Sequence, residues 1–283
     1  MHYYIHADKF FLKSGIENEG YLEIIDGHFG NFIHAEPNGK ILNYPNKLVV
    51  PGYVDTHIHG MVGHDVMDGA WEDIDAISQA LLETGVTSWL PTTLTASIEQ
   101  LSHVTKNIGE HAGSEKGAKI QGIYYEGPFF TVEHKGAQNP QYFRDPKIEI
   151  LKKWQKLSGN LVKKIAIAPE RTGSIDFIRE AVRMGVHVAL GHSNATYDQA
   201  KEAIDAGADI FTHAFNGMRG FTHRACRIII QATSCNDITA KRFLEKADRN
   251  VKAAIVMILL GLDKNAAIKF LRDKNGFVRQ ALE

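Results

Sequence analysis

Cysteine, long apolar runs and excess charge are all scarce in this sequence. Its two cysteines, Cys226 and Cys235, argue against a disulfide framework and fit a reducing compartment. The longest apolar run, from Ala253 to Leu260, is too short to span a bilayer, and the N-terminus lacks the pattern of a secretory signal. A net charge of −1 favours neither nucleic acid nor an anionic membrane as a partner. These absences predict a cytoplasmic protein.

The pattern of the chain changes character twice along its length. Residues 1–48 contain short aromatic or β-branched stretches separated by Gly, Asn and Pro, which predict a small antiparallel sheet. Residues 49–224 alternate between strand and helix patterns. Residues 225–283 lose the strand rhythm and predict helices joined by turns, with Asp263 as a helix N-cap. We therefore predict three domains with these boundaries.

The middle zone consists of repeated strand–helix units. Such units predict a parallel sheet with helices outside it. Glycines stand where three of the helices should end: Gly85, Gly185 and Gly207. Proteins of this kind place their active sites at the carboxyl ends of the strands.

Five side chains with metal-binding chemistry stand at those strand ends. His57 and His59 are two residues apart on one strand, so both point to the same face. Glu126 ends an apolar strand, where a carboxylate is costly unless it is paired or coordinated. His192 and His213 end two later strands.

Taken singly, each of these residues has an ordinary structural explanation as a hydrogen-bonded imidazole or a rim salt bridge. Taken together, at four strand ends, they predict a divalent metal site. Asp55 shares the parity of His57 and His59 and is predicted to orient an imidazole. His187 has the opposite parity to His192 and is predicted to face the helices.

The motifs HIHG, EGPF, KGAQNP, GHSNATYDQA and THAFNGM, in this order and spacing, resemble N-acetylglucosamine-6-phosphate deacetylases of the amidohydrolase superfamily. The resemblance extends from the N-terminus to about Arg224. It implies a βα-barrel beside a small β-sandwich and the removal of acetate from N-acetylglucosamine 6-phosphate. The fold class predicted here is therefore α/β: an incomplete TIM-type (β/α) barrel of about six strands, a partial N-terminal β-sandwich and a C-terminal helical tail.

The resemblance also assigns roles to individual residues. Glu126, His192 and His213 match the main metal ligands, and His57 with His59 match a pair that holds a second ion. One or two divalent ions are implied, with zinc or iron as candidates. Positions that contact substrate in the family correspond to Ala137, Gln138, Asn216, Gly217 and Arg224.

Two parts of the family pattern are missing from this sequence. The family uses an aspartate after the last barrel strand as general base and acid, in a motif like TDA, and no such segment occurs here. The aspartates after Arg224 stand in helical or turn contexts: Asp237, Asp248, Asp263 and Asp273. Barrel strands seven and eight are also missing, which predicts a sheet with two unpaired edges.

The tail has a second resemblance. RxxRII, VKAAIVMILLGLD and GFVRQALE resemble the C-terminal helices of N-acetylmuramic acid 6-phosphate etherases, joined to the rest near Ala225. A fusion, a deletion and an assembly error all stay open as origins. Three functions also stay open: a deacetylase with impaired turnover whose edges the tail or a second copy covers, an inactive metal- or sugar-phosphate-binding remnant, and an oligomerising piece. The family resemblance favours the first.

Overall fold

The computed structural model of the protein describes residues 1–219 and 223–278. Two units can be separated along the chain, Met1–Thr212 and His213–Glu283. The first carries the sheets and five α-helices, and the described part of the second is helical. The division into three domains at residues 48 and 224 stays a prediction.

The N-terminal residues form a separate four-stranded sheet with the spatial order β3-β2-β1-β4. Neighbouring strands pair antiparallel between β1 and β2 and between β2 and β3, as predicted, but β4 runs parallel to β1. The antiparallel prediction was wrong for β4 because this strand lies next to β1 rather than beside β3, so no hairpin sets its direction. The strands are β1 (His2–Leu12), β2 (Gly15–Ile25), β3 (His28–Ile33) and β4 (Ile41–Val49).

Six parallel strands form a curled second sheet, and their spatial order follows the chain. All six were predicted from the strand–helix alternation, which is confirmed. Among the described residues the first and last of the six are the edges of the sheet. A short strand β9 (Lys119–Ile120) pairs with β8, and β6 (Gly60–Met61) pairs with β7 (His64–Asp65) in a small hairpin. The six strands are β5 (Tyr53–Ile58), β8 (Val86–Thr93), β10 (Ile123–Phe129), β11 (Val162–Ile167), β12 (His187–Leu190) and β13 (Ile210–Phe211).

Five helices connect these strands, and their apolar faces pack against the sheet in one large core. Gly85 and Gly185 follow two of them with φ of 81° and 76°, a conformation that favours glycine. Glycine at these positions therefore lets the chain leave the helix and turn into the next strand. The helices are α1 (Trp71–Glu83), α2 (Ile98–His111), α3 (Ile148–Leu157), α4 (Ser174–Arg183) and α5 (Tyr197–Asp205).

Strand β10 shows how alternate residues reach two different layers. Tyr125 lies on the helix side, where its ring stacks on Trp154 at 4.1 Å between centroids. Tyr124 lies on the other side, in a smaller apolar cluster with Leu90 and Phe130. Glu126 has the same parity as Tyr124, so the two-residue repeat places this carboxylate on the inner face of the curled sheet.

The second unit has its own apolar core, built around its most hydrophobic helix. Its helices are α6 (His223–Thr233), α7 (Asp237–Lys246), α8 (Val251–Leu260) and α9 (Lys264–Asp273), which confirms the predicted helical tail. Ala253, Val256 and Met257 of α8 are buried against Leu244 and Leu271. Both cysteines are free, Cys226 on α6 and Cys235 after it.

Side-chain caps define where three of these helices begin. Asn236, Asn250 and Asp263 each accept a hydrogen bond from a backbone N–H in the first turn that follows. Asp263 acts as the N-cap that the sequence predicts. Across residues 1–219 and 223–278, no helix combines the length and the apolarity that crossing a bilayer would require.

Replacing the cap of the last helix should loosen it locally. Asp263→Ala removes the bond to the Ala266 N–H, at a cost of about 1 kcal/mol, so amide exchange across α9 should become about fivefold faster. Hydrogen–deuterium exchange with mass spectrometry of peptides from α9 measures this. Asp273→Ala is the control, because Asp273 is exposed at the C-terminal end of α9, where a carboxylate opposes the helix dipole. Equal exchange in Asp263→Ala and the parent chain would contradict the capping role.

Candidate metal centre

The Glu126 carboxylate lies at the centre of a cluster of imidazoles. The residue is 3% exposed. Its Oε2 lies 3.0 Å from His59 Nε2, and its Oε1 lies 3.3 Å from His57 Nε2 and 3.4 Å from His192 Nε2. The structure therefore brings four of the five predicted ligands together. His57, His59 and Glu126 each offer a ligand atom, and these atoms lie within 4.8 Å of one another.

Backbone carbonyls determine which nitrogen of two imidazoles carries hydrogen. His59 Nδ1 lies 3.0 Å from the Thr92 carbonyl oxygen, and His192 Nδ1 lies 2.9 Å from that of His134. A carbonyl oxygen only accepts, so both Nδ1 atoms donate. In the neutral tautomer each Nε2 then directs a lone pair at the Glu126 carboxylate, which is also an acceptor. Either a proton or a cation must lie between them, and neutral imidazoles held in this way are typical ligands of a divalent metal.

Without a cation, the contacts between Glu126 and the imidazoles shift the pKa values of Glu126 and His59. Burial acts to raise the pKa of Glu126, but hydrogen bonds with His192, His57 and His59 outweigh burial and hold the pKa far below its usual range. Burial acts to lower the pKa of His59, but its hydrogen bond and charge contact with Glu126 outweigh this and raise the pKa. The carboxylate therefore stays ionised, and any proton in the cluster resides on an imidazole.

Contacts between strand β5 and its neighbour β8 position the imidazoles of His57 and His59. Thr92 of β8 holds the segment twice: its Oγ accepts the Ile58 N–H at 3.1 Å, and its carbonyl accepts from His59. Thr92 was not predicted from the sequence, since nothing in its local pattern distinguishes it from other strand residues. Asp55 was predicted to orient an imidazole, but its Oδ1 accepts the backbone N–H of His57 at 2.9 Å. That correction arises because the carboxylate is short and reaches its own backbone two residues on.

His192 is held by contacts on several sides. Its φ of 46° lies in the left-handed region, and its ring packs on Phe130 at 4.5 Å between centroids. Glu170 holds the residues that follow it, accepting from Ser193 Oγ at 2.7 Å and from the Asn194 N–H at 2.6 Å. Glu170 was not predicted from the sequence, although it lies in the loop three residues after the end of the apolar strand β11.

His187 was predicted to face the helices, and His213 was predicted to be a metal ligand. His187, at the start of β12, is exposed and lies 2.5 Å from Asp209 Oδ2 through Nδ1. It therefore takes no part in the cluster around Glu126. His213 is the first residue of the second unit, and its Nδ1 donates to the Asn216 carbonyl at 2.9 Å. Its place in the ligand set stays a prediction.

The residues that the resemblance assigns to substrate have different surroundings. Gln138 is buried, and its Nε2 donates to Glu126 Oε2 at 2.9 Å. Ala137 is exposed beside it. Asn216 closes a tight turn on His213 through its backbone N–H, and Gly217 follows with a φ of 60°. The side chain of Arg224 lies outside the described residues, so its assignment stays a prediction.

Parallel strands with intervening helices, and a histidine–glutamate cluster at their carboxyl ends, define an α/β protein with a candidate divalent metal centre. The chain belongs to the amidohydrolase family, whose model matches residues 48–266. That match extends beyond Ala225. The comparisons do not support the resemblance of the tail to the etherase, which stays a prediction.

Two curated proteins that are similar to this chain are both named as 6-phosphate deacetylases of N-acetylated amino sugars. N-acetylglucosamine-6-phosphate deacetylase of Vibrio furnissii is 42% identical over 178 residues, covering 62% of this chain and 44% of that protein. N-acetylgalactosamine-6-phosphate deacetylase of Escherichia coli O157:H7 is 41% identical over 179 residues, covering 63% and 48%. The chain spans about half the length of the curated relatives it matches.

A solved structure is similar to this chain in both fold and sequence. A mutant of N-acetyl-D-glucosamine-6-phosphate deacetylase from Mycobacterium smegmatis, in complex with N-acetyl-D-glucosamine-6-phosphate, superposes with a TM-score of 0.71 and 33% identity. The match covers 79% of this chain and 58% of that one. The curled half-barrel of this chain is therefore an architecture that is present in a solved member of the family.

Removing the charge of the central carboxylate should abolish tight metal binding. Glu126→Gln keeps the shape of the side chain but removes its negative charge, and the affinity for Zn²⁺ should fall by at least about a hundredfold, beyond the effect of losing an outer partner. Competition with a chromophoric chelator measures the affinity. Glu133→Gln is the control, since Glu133 is exposed in the turn that follows β10. Unchanged affinity in Glu126→Gln would contradict a metal centre here.

The raised pKa of His59 should make the stability of the metal-free protein depend on pH. Because the folded-state pKa lies above the unfolded value of about 6.5, the stabilisation is fully present below about pH 6.5 and is lost as pH rises through the folded-state pKa. The difference in unfolding free energy between the parent chain and His59→Gln should therefore be larger at about pH 5.5 than at about pH 9. Urea denaturation in the presence of a chelator tests this, and an equal difference at both pH values would be inconsistent with it.

Proposed function

We propose that the chain is a metal-dependent deacetylase that converts N-acetylglucosamine 6-phosphate into glucosamine 6-phosphate and acetate in amino-sugar catabolism, with impaired turnover. The observation that carries the proposal is the buried Glu126 carboxylate surrounded by imidazole Nε2 atoms at the carboxyl ends of parallel strands. Relatives at 42% and 41% identity are both named as deacetylases of N-acetylated amino-sugar phosphates. Together these support a hydrolytic site for an acetamido group.

The ligands of the proposed ion come from separate strand ends. Glu126, His57, His59 and His192 already converge. We add His213 by resemblance. Zinc or iron suits this set of nitrogen and carboxylate donors, as one ion or two.

Thr92, His134 and Glu126 would set the tautomers and the charge of this site before substrate binds. A divalent ion there would supply Lewis acidity, polarising the acetyl carbonyl and lowering the pKa of a water molecule. The carbonyls of Thr92 and His134 keep protons on Nδ1 of His59 and His192, so each Nε2 stays available. Glu126 supplies the negative charge, and burial keeps water from screening it.

The impairment is inferred from the proton-transfer step. Hydrolysis of an amide needs a group that takes a proton from water and gives one to the leaving amine. Asp237 begins α7, Asp263 caps α9, and Asp273 ends α9. Asp248 follows α7, so all four aspartates after Arg224 lie in or beside helices rather than after a strand. We therefore expect the 283-residue polypeptide to turn over substrate at least about 10³-fold more slowly than a relative that has an aspartate after its last barrel strand.

Substrate selection is assigned by resemblance to a small group of residues. Ala137 would contact the substrate, Asn216 and the backbone near Gly217 would bond its sugar or its phosphate, and the guanidinium of Arg224 would bind the phosphate oxygens in a bidentate manner. The two first relatives differ in sugar, one named for glucosamine and one for galactosamine, at nearly equal identity. The epimer at C4 is therefore the first alternative substrate to examine.

Acetate release from the purified polypeptide tests this proposal. Metal-free protein should be inactive. After Zn²⁺ or Fe²⁺ is added, slow release from N-acetylglucosamine 6-phosphate should appear, and release from unphosphorylated N-acetylglucosamine should be weaker still. N-acetylgalactosamine 6-phosphate is the matched second substrate, and Glu126→Gln is the protein control. Turnover equal to that of the Vibrio furnissii enzyme would contradict the impairment, and failure to bind either metal would contradict the whole proposal.

A second candidate is an inactive remnant that binds the metal and the sugar phosphate. It is favoured by the positions of the aspartates that follow Arg224, which lie in or beside helices: Asp237, Asp248, Asp263 and Asp273. Metal binding at full stoichiometry without acetate release would identify it. The etherase-like tail as a fused piece, the cytoplasmic location and any assembly of copies stay predictions.

A further inference from the structure

Gln138 is a buried amide that joins two segments of the first unit. The residue is 4% exposed. Its Oε1 accepts the Thr95 N–H at 2.8 Å, and its Nε2 donates to Glu126 Oε2 at 2.9 Å. Thr95 lies in the loop after β8, and Glu126 lies on β10. Gln138 therefore connects the ends of two neighbouring strands.

The chemistry of these partners leaves one orientation for the amide. A backbone N–H can only donate, so the atom that faces Thr95 must be the amide oxygen. The NH₂ group then faces Glu126, where an ionised carboxylate accepts it. His59 Nε2 approaches the same carboxylate oxygen at 3.0 Å. The amide thus fixes the position of the oxygen that His59 also contacts.

The segment that carries Gln138 also holds His192. The Thr131 N–H donates to the His192 carbonyl at 3.0 Å, and the His134 carbonyl accepts from His192 Nδ1 at 2.9 Å. Gly136 passes so close to the ring that an added Cβ would lie 3.3 Å from His192 Cε1. One short segment therefore contacts two of the proposed ligands, Glu126 through Gln138 and His192 directly.

We propose that Gln138 is a positioning residue that fixes the Glu126 carboxylate for a divalent cation. The proposal rests on the metal centre of the proposed function. A ligand carboxylate must be held within a fraction of an ångström, and packed, hydrogen-bonded neighbours provide that precision. The bonds to Thr95 and Glu126 use one lone pair of Oε1 and one amide hydrogen, so half of the hydrogen-bonding capacity of the amide is committed to these two partners.

Metal affinity tests the proposal without relying on turnover. Gln138→Met keeps nearly the same length but removes both hydrogen bonds, and should lower the affinity for Zn²⁺ by about 10- to 100-fold. The Co²⁺-loaded variant should also show an altered visible absorption spectrum, because the ligand geometry changes. Gln141→Met is the matched control, since Gln141 is exposed three residues further along the same loop.

A second variant covers the case in which Gln138→Met does not fold. Gln138→Asn keeps an amide but is one methylene too short to bond Thr95 and Glu126 together, so it should also weaken Zn²⁺ binding. Circular dichroism at the assay temperature establishes that each variant is folded. Calorimetric titration of the Zn²⁺-loaded proteins with N-acetylglucosamine 6-phosphate reports on substrate contact separately.

The outcomes separate this inference from the proposed function. Weaker Zn²⁺ binding in the folded Gln138 variants, with Gln141→Met unchanged, supports the positioning role. Parent-like Zn²⁺ affinity with weakened sugar-phosphate binding overturns it and leaves the metal centre intact. If the parent chain itself does not bind Zn²⁺ or Co²⁺, the metal centre is wrong, and the positioning role is overturned with it.

Discussion

The buried negative charge of Glu126 is the constraint on which the rest of the site depends. A carboxylate that is 3% exposed would be strongly destabilising alone, and it is tolerated because His57, His59 and His192 direct their Nε2 atoms at it. The tautomers of His59 and His192 leave lone pairs facing the carboxylate unless a proton or a cation lies between. Charge compensation and the proposed metal affinity therefore have one structural origin.

Rigid elements supply the geometry that this charge requires. The parallel strands bring their carboxyl ends to one edge of the curled sheet, and the residues that follow them supply carbonyls and amides at fixed points. Thr92 serves β5, while residues 131–138 serve both Glu126 and His192. Uncharged groups thus hold the candidate metal ligands in place. The loss of such a group would shift a candidate ligand without removing it.

Regular patterns in the sequence allowed much of this architecture to be predicted. The strand–helix repeat predicted all six parallel strands, and the two-residue spacing of His57 and His59 placed both on one face. Predictions failed where the bonding partner of a strand or a side chain decides the outcome. Asp55 bonds the backbone of His57, two residues on, rather than an imidazole. The direction of β4 depends on its place beside β1, a strand distant in sequence. Periodicity reports on local geometry and contains no information on such pairings.

Residue type and spacing along the chain were enough to predict the chemistry of the candidate ligands, the α/β alternation and the helical character of the tail. The folded backbone was needed to show that Gln138 bonds Glu126 and Thr95, that Glu170 holds the residues after His192, and that the Thr92 carbonyl sets the tautomer of His59. Hydrogen bonds between segments more than ten residues apart depend on the path of the backbone in the folded protein, which local patterns do not specify.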